Sequence, residues 1–64
     1  MTVNKYYIEL ARDSLNKAVN ELRHAEQYLV VAECREKAGS ISRTISAVEN
    51  RNKELGYILG SYHF

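Results

Sequence analysis

A large apolar residue returns every seventh position, at Ile8, Leu15, Leu22 and Leu29, and alanine does the same at Ala11, Ala18, Ala25 and Ala32. The two series alternate at spacings of three and four, which places a single stripe along one face of a helix. Alanine at every second seam position lets a neighbouring backbone approach closely. The pattern therefore predicts a tightly packed antiparallel helix pair.

A second stripe runs through Ile41, Ile45, Val48, Asn52, Leu55, Leu59 and Tyr62. It is offset by two residues from the first, a jump that matches neither of the usual coiled-coil insertions of three or four. The jump falls at Ala38-Gly39-Ser40. There Gly39 is suited to ending one helix in a left-handed conformation and Ser40 to capping the next. The expected fold is thus all-α: a helix over about 3–37 starting at Thr2 or Asn4, a turn at 38–40, and a helix over about 41–60. The chain of 64 residues forms one helical-hairpin domain, 1–64.

A turn at 38–40 makes the arms unequal, since it pairs residue i with about residue 79 − i. The second arm then reaches only to about Leu15 and leaves the start of the first helix uncovered. A chain this short buries only about 60% of its unfolded surface and usually needs a staple or a partner. Cys34 is the single cysteine, so no intrachain disulfide closes. These observations lead to a homodimer forming a four-helix bundle. Its predicted interface is Val3, Tyr7, Ile8, Leu10, Ala11, Ala18, Tyr28 and Val31. Two antiparallel first helices would set Tyr7 against Tyr28 and Val3 against Val31, about a two-fold axis near Lys17/Ala18. Asn52, the polar member of the second stripe, either fixes register or reaches water at an open point of the seam.

Chemistry-bearing patterns are sparse. Glu21 and His24 have the Glu-x-x-His spacing of di-metal bundles, but helical geometry turns both away from the seam. Cys34 lies near Arg35 and Lys37, with neither His24 nor His63 placed to act as its base. Gly39, Gly56 and Gly60 are isolated and form no phosphate loop. No catalytic, cofactor or metal residue is assigned, and an enzyme is not expected. Nine Lys/Arg against eight Asp/Glu give +1 with both signs interspersed, which sets no overall bias toward nucleic acid or membrane. One cysteine, no apolar run of membrane-spanning length and no charged-then-apolar start lead to a cytoplasmic expectation.

In size, hairpin layout and Leu/Ala seam the chain resembles the small plasmid copy-number regulators of the Rop type, dimeric hairpins that bind paired RNA loops. The resemblance implies RNA binding as an alternative function, and Arg12, Lys17 and Arg23 are the candidate contacts. The RNA-contacting residues of that family have no one-by-one match in this sequence. The segment Lys53-Glu54-Leu55-Gly56-Tyr57-Ile58-Leu59 is slightly similar to the second helix of the small aspartyl-phosphate phosphatases of sporulating bacteria. Their Ser-Gln-x-Leu-Asp signature is missing, with Asn52 and Lys53 in the first two places and Gly56 in the aspartate position. The leading expectation is a small non-enzymatic regulatory or inhibitory protein of phage or plasmid type that binds a larger macromolecule, with a protein as partner. Tyr57, Tyr62, His63 and Phe64 are candidate partner contacts. An assembly chaperone or small subunit of a helical complex is a further alternative.

Overall fold

The computed structural model describes residues 3–61. Two helices, α1 (Lys5–Val31) and α2 (Arg35–Ser61), pack against each other as an antiparallel hairpin with principal extents of 48 × 15 × 15 Å. Asn4 caps α1: its backbone is extended (φ −92°, ψ 104°), and its side-chain oxygen accepts from the Tyr6 amide at 3.1 Å. That contact satisfies one of the amides a helix start leaves without an internal partner.

The turn lies at 32–34, not at the expected 38–40. Ala32 closes α1, Glu33 adopts the left-handed conformation at φ 62°, and Cys34 leads into α2. The Cys34 amide donates to the Leu29 carbonyl at 2.8 Å and the Glu33 amide to the Val30 carbonyl at 3.0 Å. This pair of bonds is a Schellman motif, with glutamate where glycine usually stands. Gly39 and Ser40 lie inside α2, Gly39 has no positive φ, and the Ser40 carbonyl accepts from the Thr44 hydroxyl at 3.2 Å. The expected bounds of 3–37 and 41–60 are corrected accordingly.

Burial of the two stripes explains why the chain turns there. A bend centred near Glu33 pairs residue i with about residue 67 − i. Leu29 then faces Ala38, Leu22 faces Ile45, Val19 faces Val48 and Ile8 faces Leu59, so both stripes are matched from end to end. A left-handed non-glycine residue costs roughly 1–2 kcal/mol. Stranding even one large apolar side chain costs about 1.5–3 kcal/mol, and a turn at Gly39 would strand several. The local glycine signal loses to the length of the stripes.

With two arms of 27 residues each, the length mismatch disappears, and with it that reason for a second chain. The seam also differs from the expected one. On α1 the residues that lose solvent are Ile8, Arg12, Leu15, Val19, Leu22, Ala25, Glu26 and Leu29. The large residues therefore pair with 12, 19 and 26 instead of with the alanines. Ala11, Ala18 and Ala32 stay exposed, and Ala25 is half-buried. Only Val19, Ala38 and Ile45 are buried among the described residues.

Candidate interaction surface

α2 covers one side of α1 and leaves another bare. At about 100° per residue, the alanine row lies roughly 80° around α1 from the seam. Tyr7 and Tyr28 lie just beyond it, with Leu10 and Val31 at its outer border. Tyr7 is 65%, Tyr28 74% and Val31 83% exposed, and Leu10 is also exposed. Of the seven large apolar residues exposed among those described, six belong to α1. Scattered surface apolar residues need no explanation, but segregation to one helix does. Tyr6 and Tyr7 additionally meet edge to face, their rings 5.3 Å apart at 71°.

Of the residues expected at a dimer interface, Tyr7, Leu10, Ala11, Ala18, Tyr28 and Val31 are exposed on α1, and Val3 is half-buried ahead of it. Ile8 is the exception. It is half-buried and follows the α2-facing repeat, so it belongs to the intrachain seam. Tyr57 is exposed on α2. Tyr62, His63 and Phe64 lie outside the described residues.

The three cations expected to contact RNA are each held by a protein group. Lys17 pairs with Asp13 at 3.0 Å, Arg23 with Glu49 across the two helices at 3.1 Å, and the Arg12 Nε donates to Asn52 Oδ1 at 2.8 Å. The first two pairs are exposed and contribute at most about 1 kcal/mol each.

Arg12 belongs to a polar layer that sequence reasoning missed. Asn52 accepts from Arg12 and donates through Nδ2 to Asn16 Oδ1 at 2.7 Å, tying α2 to α1 at both ends of one amide. This assigns Asn52 to a cross-helix contact instead of a bare opening to water. The Arg12 guanidinium lies across Gly56, where an added Cβ would stand 3.3 Å from the guanidinium carbon. A side chain at this position would require the guanidinium to give by a few tenths of an ångström. Polarity hid the layer: an arginine breaks an apolar repeat, although its long stem commonly lines apolar surface while its head stays wet.

A shallow concavity lined by Glu9, Arg12, Asp13, Asn16 and Leu59 opens beside the layer. Glu21, His24 and Cys34 are all exposed. Among the described residues, no three His, Cys, Asp or Glu side chains gather in a metal-holding group, and no helix is long and apolar enough to cross a membrane. Comparison with protein-family models, curated proteins and solved structures finds no match to this chain.

Proposed function

We propose that this chain is a small non-enzymatic regulatory protein that acts by binding a larger macromolecule, as a dimer of hairpins in a four-helix bundle. The observation that carries the reading is the concentration of exposed apolar side chains on α1. Tyrosines on a rigid helix supply large contact area for little side-chain entropy, which suits a protein partner. The alanine row in the middle of the same helix suits close approach of another helix. Asp13 and Glu49 lie beside Lys17 and Arg23, so the positive field that an RNA would meet there is diluted by acidic neighbours, which favours a protein partner.

Capture from host lysate with the tagged chain tests this reading. The expected result is a protein retained after nuclease treatment and at both low and high salt, and lost with the double variant Tyr7→Ala/Tyr28→Ala. Retention of RNA that falls steeply with salt would replace it with the nucleic-acid reading. Absence of any retained macromolecule at either salt contradicts both.

A further inference from the structure

We infer that Asn52, held between Arg12 and Asn16, locks α2 in register along α1 against a slide of one heptad. This lock belongs to the hairpin itself and is independent of what binds the bare side of α1.

The apolar stripes leave such a slide open. A bend at Gly39 would move α2 by about twelve residues, out of phase with a seven-residue repeat, and the stripes reject it. A slide of about seven residues keeps the phase. It would bring the bend to about residue 37, beside Gly39, and set residue i against about residue 74 − i. Ile8–Leu59, Val19–Val48 and Leu22–Ile45 would then give way to Leu15–Leu59, Val19–Leu55 and Leu29–Ile45. The number of large apolar pairs is the same in both registers. Hydrophobic pairing therefore separates them poorly.

The polar layer separates them well. Arg12 Nε donates to Asn52 Oδ1 at 2.8 Å, and Asn52 Nδ2 donates to Asn16 Oδ1 at 2.7 Å. These partners stand three residues before and one residue after Leu15, which the register sets opposite Asn52. After the slide Asn52 would face Leu22, and the corresponding positions hold Val19 and Arg23. Neither side chain accepts a hydrogen bond, so Asn52 Nδ2 loses its acceptor while Arg12 loses Asn52. The loss falls at the level of Val19, which is 5% exposed. An unmade hydrogen bond is costly where water is scarce. In the observed register Asn52 and Arg12 are half-buried and both are partnered. A polar residue in an apolar seam thus gives up some stability and fixes the register.

Spin labels test the lock in the full chain. They are attached at Ser14→Cys and Ser40→Cys, both exposed positions, in a Cys34→Ser background. Double electron–electron resonance reads their separation, with labelled chain diluted into unlabelled chain so that each distance lies within one hairpin. A slide of one heptad carries Ser40 further from Ser14 by about 10 Å along the axis, at ~1.5 Å per residue. The chain with its layer intact should give one distance. Asn52→Leu should add a second, about 10 Å longer, and Asn52→Asp, which still accepts from Arg12, should return to one. The double variant Arg12→Met/Asn16→Ala strips Asn52 of both partners and should also show the longer distance; it carries the test if Asn52→Leu does not fold. A single unchanged distance in the folded Asn52→Leu or double variant overturns the lock, and so does a second distance in the chain with its layer intact.

Discussion

Ile45→Ala should cost about 2–5 kcal/mol and leave the chain largely unfolded at room temperature. Ile45 is 7% exposed, one of three buried residues among those described, and the register places it against Leu22. Truncation to alanine removes the transfer energy of the lost carbons and adds the cost of a void that two helices close only in part. A core of this size rarely supplies more than about 3–5 kcal/mol in total, so the loss is comparable to the whole stability. Circular dichroism at 222 nm with a urea titration reads the effect. Val30→Ala, at a 53% exposed position, is the control, with a change within about 0.5 kcal/mol. Equal effects of the two substitutions would contradict the seam.

Ala38→Leu should destabilise by about 1–3 kcal/mol. Ala38 is 5% exposed, and the pairing of i with about 67 − i sets it opposite Leu29, small against large where α2 leaves the turn. Three added carbons must push α2 away from α1 or force side chains off their preferred rotamers. With a turn at 38–40 the same position would lie in the connection and tolerate leucine within about 0.5 kcal/mol. The shift in urea midpoint therefore also reports where the hairpin bends. Because the clash strains the folded state, it should appear mainly as faster unfolding.

The second stripe, the large residues of the first, Asn4 as one of two candidate caps and the hairpin itself are legible in the chain, because periodicity and capping are local properties. The position of the turn is not. Gly39 and Ser40 carry the local signals for a break, while Glu33 carries none. What selects Glu33 is that a bend there matches the two stripes from Ile8–Leu59 to Leu29–Ala38, a property of the pair and not of either helix. The seam has the same character. Ile8, Leu15, Leu22 and Leu29 pair at heptad spacing equally well with Ala11, Ala18 and Ala25 or with Arg12, Val19 and Glu26. A single amphipathic helix does not record on which side its neighbour sits. The candidate surface followed from that ambiguity: of the alanines read as intrachain packing, Ala11 and Ala18 are exposed on α1 and Ala25 is half-buried.

The equal-armed register underlies the seam and the side of α1 it leaves bare, and the urea stability of Gly39→Ala tests it most directly. Gly39 lies inside α2 without positive φ, and an added Cβ meets nothing closer than the Arg43 side chain at 3.9 Å. Alanine there should stabilise the chain by about 0.5–1 kcal/mol, the difference between the two residues in a helix interior. Were Gly39 the left-handed residue of the turn, the same substitution would lose about 1–2 kcal/mol, and a loss of that size would contradict the register.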